Sequence, residues 1–93
     1  MDKFTPTEDH RRCIERVKRL REALGYSQIK MAGLVEMKPT SYSDLEAPAK
    51  RIDLDKIITL ANYFDVPVGF LAAGERANCP PAQLKKIQRI FDL

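Results

Sequence analysis

Residues 27–46 read SQIKMAGLVEMKPTSYSDLE, and this stretch decides the fold. Ser27 is a residue of the kind that caps a helix, because its hydroxyl accepts a hydrogen bond from a free backbone N–H of the first turn. Gln28 follows, and Met31, Ala32 and Val35 then fall at the spacing of one short amphipathic helix. The pattern breaks at Glu36. A second short amphipathic segment carries Met37, Tyr42 and Leu45, with Pro39 in its first turn, where a proline forfeits no internal hydrogen bond. Two short helices across a tight turn, with the small Ala32 where they must touch, form a helix-turn-helix pattern.

Upstream, Thr7 is placed to cap a helix whose first turn holds Glu8 and Asp9, both favourable at the positive helix end. Cys13, Val17, Leu20 and Leu24 recur at i, i+4, i+7 and i+11, which predicts one buried stripe, and Gly25 closes the helix in the left-handed conformation. Downstream, Pro48 ends the helix that Pro39 begins, and Asp53 caps a fourth helix with Leu54, Ile57, Ile58, Ala61 and Phe64 as its predicted buried face. Pro67 opens a short fifth helix through Phe70 and Leu71, which Gly74 terminates. Residues 75–80 (ERANCP) read as a polar hinge, and Pro80 and Pro81 start a last amphipathic helix with Leu84, Ile87, Ile90 and Phe91 on one side. No strand pattern appears, so the expected class is all-α. Residues 1–6 show no periodicity and read as a flexible N-terminal arm.

Ninety-three residues suffice for one domain with a modest core. An apolar content of 44% with 31% charged residues is that of an ordinary globular chain and argues against wholesale disorder. Net charge is +3, which permits nucleic-acid binding without establishing it, so the distribution of charge matters more. Six basic residues (Arg11, Arg12, Arg16, Lys18, Arg19 and Arg21) fall within residues 11–21 against one acid, Glu15. The helix-turn-helix stretch itself sets Lys30 and Lys38 against Glu36, Asp44 and Glu46. Positive potential therefore lies beside the second short helix rather than on it.

Cys13 and Cys79 are far apart and stand in no metal-ligand spacing. His10 and Cys13 share a helix face at i, i+3 but lack a third ligand, so neither metal nor cofactor is expected. A nucleophile–base–acid set and a Gly-rich phosphate loop are also missing from the sequence, which argues against an enzyme. Without a secretory signal or a long apolar run, the expectation is a cytoplasmic protein with reduced thiols and no membrane partner.

Three stretches carry a family resemblance: IERVKRLREALGYSQIKMAGLV (14–35), YSDLE (42–46) and LDKIITLANYFDVPVGFLAAG (54–74). Over about two-thirds of the chain they resemble, in register and without a gap, the lambda-repressor-like, Xre-type helix-turn-helix family of bacterial and phage regulators. The resemblance implies a five-helix DNA-binding domain. It implies that Lys38, Pro39, Thr40, Ser43 and Asp44 face the bases, and that Gln28, Lys50 and Arg51 meet phosphate. It also implies a structural ion pair between Arg21 and Glu46. Lysine can donate to guanine, threonine can pack on a thymine methyl, and aspartate can accept from cytosine, whereas proline offers an apolar contact alone. Arg12, Arg16 and Arg19 share a helical stripe that either faces the DNA backbone or is simply solvated.

Two positions depart from the family pattern. Glu36 stands where the family prefers a glycine, which implies about 1 kcal/mol of strain or a different turn. Pro48 stands where a glycine usually ends the third helix, so the exit there must differ.

The domain organisation expected is an arm over 1–6, a helix-turn-helix domain over 7–74, a hinge over 75–80 and a dimerisation helix over 81–93. The functional expectation is a sequence-specific regulator of transcription, a repressor that binds a palindromic operator in double-stranded DNA as a homodimer, with no small-molecule effector. The alternative is a protein–protein interaction module in which the near-neutral third helix contacts another protein; Glu36 and Asp44 favour it.

Overall fold

The computed structural model describes residues 4–92. Among them six helices follow one another and no strand occurs: α1 (Glu8–Ala23), α2 (Gln28–Leu34), α3 (Pro39–Glu46), α4 (Leu54–Phe64), α5 (Val68–Ala73) and α6 (Pro81–Phe91). None of these helices is long and apolar enough to cross a membrane. Part of the expected arm, residues 1–3, lies outside the described residues. Within its described part the Phe4 ring meets His10 edge-on, with centroids 5.2 Å apart, and lies beneath the Arg51 guanidinium.

Side-chain oxygens start three of the helices. Thr7, Ser27 and Asp53 accept from the backbone N–H groups of His10, Lys30 and Lys56, each at 3.1 Å. α1, α2 and α4 end by one shared device. Gly25, Glu36 and Asp65 adopt left-handed φ angles of 75°, 55° and 55°. The next residue's N–H then reaches back five positions: Tyr26 to the Arg21 carbonyl, Met37 to Ala32, and Val66 to Ala61. Glu36 therefore keeps the turn a glycine would make, and it bears the crowding of its Cβ against the backbone. α3 closes differently. Ala47 stays at φ −84°, no residue over 47–49 turns left-handed, and Ala49 N–H bonds the Asp44 carbonyl at 2.9 Å. This exit suits Pro48, whose ring forbids positive φ.

The core gathers one stripe from each helix. α1 contributes Cys13, Ile14, Val17 and Leu20, and α4 contributes Ile57, Leu60, Ala61 and Phe64. Met31 and Ala32 of α2 and Tyr42 and Leu45 of α3 close over them. Three residues expected in these stripes lie outside the core: Leu24, Leu54 and the half-buried Ile58. Leu24 is 37% exposed because it caps α1 with non-helical dihedrals and so leaves the helical periodicity. Leu54 is 61% exposed; as the first residue of α4 its side chain tilts toward the N-terminal end, past the edge of the core.

α6 brings the main correction. Its stripe was expected to be free for a second copy of the chain, but Ile87 is fully buried and Phe91 is 8% exposed within the domain. α6 packs on α1, and the Phe91 ring meets Phe70 of α5 edge-on at 5.0 Å. Leu84 and Ile90 are half-buried against the same core. Polar ties reinforce the seat: Gln83 donates to Asp65 at 2.9 Å, and Lys86 bonds the Phe64 carbonyl. The cause is the brevity of α5. Six residues leave the flank of α1 and the Phe70 ring in need of cover, and α6 supplies it.

Candidate nucleic-acid interface

The α2–α3 unit is fastened to α1 through a single carboxylate. Glu46, at the C-terminal end of α3, is 8% exposed and accepts four hydrogen bonds. Arg21 donates twice, from Nε to Oε2 at 2.7 Å and from Nη2 to Oε1 at 3.0 Å. Tyr42 Oη donates to Oε2 at 2.7 Å, and Gln28 Nε2 donates to Oε1 at 3.0 Å. The remaining guanidinium nitrogen of Arg21 donates to the Tyr26 carbonyl at 2.9 Å. One cluster thus joins α1, the α1–α2 turn, α2 and α3.

Its electrostatics follow from that geometry. Burial pushes the Glu46 carboxyl up, but the hydrogen bonds from Arg21, Tyr42 and Gln28 together outweigh it and hold the group below its ordinary value. The bond to Glu46 holds the Arg21 guanidinium above its usual value against the opposing effect of burial. Burial first, then the bond to Glu46 and its charge, raise the Tyr42 phenol far above the normal range. The inner face of α3 is therefore a fixed ionic and hydrogen-bonded seat.

The outer face is open. Lys38, Pro39, Thr40 and Asp44 are exposed and Ser43 is half-exposed. Pro39 with Ser43 and Thr40 with Asp44 stand at i, i+4, so these four residues share the side of α3 turned from Tyr42 and Leu45, and Lys38 precedes them as the N-cap residue. Lys50 and Arg51 are exposed on the loop that leaves α3. Gln28 is half-buried at the start of α2, and one of its two amide hydrogens goes to Glu46; the other remains for an outside acceptor.

The loop is held by His10, to which the sequence assigned no site role. His10 Nε2 accepts from the Ile52 N–H at 3.2 Å, so the neutral ring carries its proton on Nδ1, which is buried and has no partner among the described residues. Burial and then the nearby Arg51 charge lower the His10 pKa from its ordinary value. His10 and Phe4 thereby set the position of Arg51, whose guanidinium lies 5.4 Å from the Phe4 ring centre. No local signal in the sequence links residues 10 and 52.

Within the basic stripe of α1, Arg16 does not point to solvent. Its Nε and Nη2 donate to the Leu71 and Ala72 carbonyls, both at 3.0 Å, at the C-terminal end of α5. Arg12 and Arg19 remain exposed.

Comparison with known proteins agrees with this architecture. A helix-turn-helix family model matches residues 17–71, more than half of the chain. No curated protein matches it. Among solved structures, the crystal structure of a transcriptional regulator from Listeria innocua is similar, with a TM-score of 0.62, 21% sequence identity, and coverage of 86% of this chain and 75% of that one. At that identity the likeness speaks for the fold alone. With the family model spanning α1 to α5 and the turn between α2 and α3 kept even at Glu36, the chain belongs to the lambda-repressor-like, Xre-type helix-turn-helix family.

Proposed function

We propose that this protein is a transcriptional regulator that binds double-stranded DNA sequence-specifically through α3. The observation that carries the reading is the contrast between the two faces of that helix. The inner face is immobilised by the Glu46 cluster, while Lys38, Thr40, Ser43 and Asp44 stand outward beside the cationic Lys50 and Arg51. A rigidly seated short helix with a polar outer face and flanking cations suits major-groove readout, where side chains read base edges and cations bind phosphate. Gln28, Lys50 and Arg51 serve as the phosphate contacts; Lys38, Pro39, Thr40, Ser43 and Asp44 meet the bases.

One module of this size buries about 600–1,000 Å² on DNA, little for specific binding alone, so the reading includes a homodimer on a palindromic site that represses by occupying promoter DNA. Because Ile87 and Phe91 of α6 are seated on their own domain, we place the dimer surface elsewhere. Selection from a pool of random duplexes tests the reading: enrichment of one palindromic sequence is the expected result. Failure to enrich any sequence, with α3 substitutions disturbing capture of another protein instead, would favour the protein-binding module that exposed Glu36 and Asp44 also suit.

A further inference from the structure

A second charged feature lies away from α2, α3 and the loop at residues 50–51. Between α1, the turn after α5 and the last turn of α6 is a cavity of about 370 Å³. Its walls hold four guanidinium groups, those of Arg12, Arg16, Arg19 and Arg76, against one carboxylate, Glu15. The floor is apolar, made by the paired rings of Phe70 and Phe91. A neighbouring cavity of about 260 Å³ shares Arg12 and Arg16 and adds Asp9.

One of these arginines, Arg16, is held inside the fold rather than solvated. Arg12, Arg16 and Arg19 stand at i, i+4 and i+7 on α1, a like-charge arrangement that destabilises a helix unless something offsets it. Arg12 has a partner in Glu8 at 3.4 Å, but that pair is largely exposed and counts for little. Arg16 is held rigid by the Leu71 and Ala72 carbonyls, which leaves its Nη1 hydrogens unused among the described residues. That nitrogen lies against Gly74, where an added Cβ would come within 3.2 Å, so the glycine keeps it accessible. Arg76 faces the cavity from across the turn. One fixed guanidinium, that of Arg16, with the exposed Arg12, Arg19 and Arg76 around it and the edges of Phe70 and Phe91 below, matches an anion with a flat apolar body, and the volume lies within the range of small-molecule sites.

We propose that this cavity binds a small amphipathic organic anion, a carboxylate or phosphate ester on a planar apolar body. The headgroup bonds Arg16, Arg19 and Arg76, and the body lies on Phe70 and Phe91. This departs from the expectation, drawn from the sequence, of no small-molecule effector.

Titration of the whole chain with benzoate, phenyl phosphate and inorganic phosphate, followed by calorimetry and by the NMR signals of the Phe91 ring, tests the proposal. Saturable binding of benzoate or phenyl phosphate is expected, at least about fivefold tighter than inorganic phosphate; whichever of the two binds better identifies the headgroup. Arg76→Ala and Arg19→Ala should each weaken it about fivefold or more while leaving the melting curve and DNA binding unchanged. Three results would overturn the proposal: no binding by any probe, inorganic phosphate binding as tightly as the aryl anions, or weakened DNA binding in these variants with no loss of probe binding. The last would make the arginine wall a DNA-backbone contact.

Discussion

The Glu46 carboxylate is nearly shut off from water and has four donors converging on it, so its removal strands more than one partner. Glu46→Ala leaves the Arg21 charge unpaired and a buried Tyr42 hydroxyl unsatisfied, and is expected to cost about 3–5 kcal/mol in urea unfolding. The pH dependence has a definite sign. Because the folded carboxyl titrates below its ordinary value of 4.5, its stabilisation is complete above that pH and drains away as pH falls through the folded value. The Glu46→Gln protein should lack this acid-side slope; an identical slope in both proteins would place its origin elsewhere. Glu36 presents the opposite case, a residue the fold tolerates rather than requires. Its φ of 55° crowds the Cβ, so Glu36→Gly is expected to gain about 0.5–1 kcal/mol, and Glu36→Val to lose more than that, since a β-branched residue fits the left-handed region worst. Thermal melts of the two variants check the ordering.

At the scale of elements, α6 and the loop after α3 depend on helices distant in sequence. Ile87 has no exposure at all, so Ile87→Ala should cost about 2–5 kcal/mol, and a chain ending at Gly74 should lose cooperative unfolding because Phe70 and the flank of α1 are uncovered. A truncated chain with an unchanged urea midpoint would show that the five-helix unit closes without α6. The loop of Lys50 and Arg51 hangs on neutral His10. Burial first, and then the nearby Arg51 charge, depress the folded pKa, and protonation would place a hydrogen on the nitrogen that accepts from Ile52. The stabilisation is therefore present above the ordinary imidazole value of 6.5 and is lost as pH falls below it. His10→Ala should destabilise by about 1 kcal/mol at pH 8 and by clearly less at pH 5. Equal losses at both pH values would mean that the ring acts through packing with Phe4 rather than through the Ile52 bond.

Across the whole molecule, what could be read from the residues themselves was local, and the long-range Arg21–Glu46 pair was legible through the family resemblance alone. Caps at Thr7, Ser27 and Asp53, the left-handed Gly25 and Gly74, and the proline starts of α3 and α6 act within four or five residues of their own position. The Arg16 bonds to Leu71 and Ala72 span more than fifty residues, the His10–Ile52 bond spans forty-two, and Arg76 shares a cavity with α1 through the seating of α6; no periodicity encodes these pairings. An amphipathic stripe in α6 reveals that it must be covered but not by what. The same limit applies to charge: six cations over residues 11–21 look like one basic patch, yet Arg21 and Arg16 are engaged inside the fold and Arg12 and Arg19 line the cavity over Phe70 and Phe91; the cations at the start of α3 and on the loop after it are Lys38, Lys50 and Arg51. DNA affinity should accordingly be modest and steeply dependent on salt. Each phosphate contact adds about 0.9 to the slope of log K against log salt, so Arg51→Ala should lower that slope by about one and weaken every duplex alike. Lys38→Ala or Thr40→Ala should instead weaken the preferred duplex by about 1–3 kcal/mol and leave other sequences almost untouched. Asp44 distinguishes two roles. If its carboxylate accepts from a cytosine amine, Asp44→Asn shifts the preferred base; if it only repels phosphate, the same change raises affinity for all duplexes. Fluorescence anisotropy across a salt series separates these outcomes, and a variant that changes neither preference nor non-specific affinity would place Asp44 away from the DNA and count against the proposed seating of α3 in the groove.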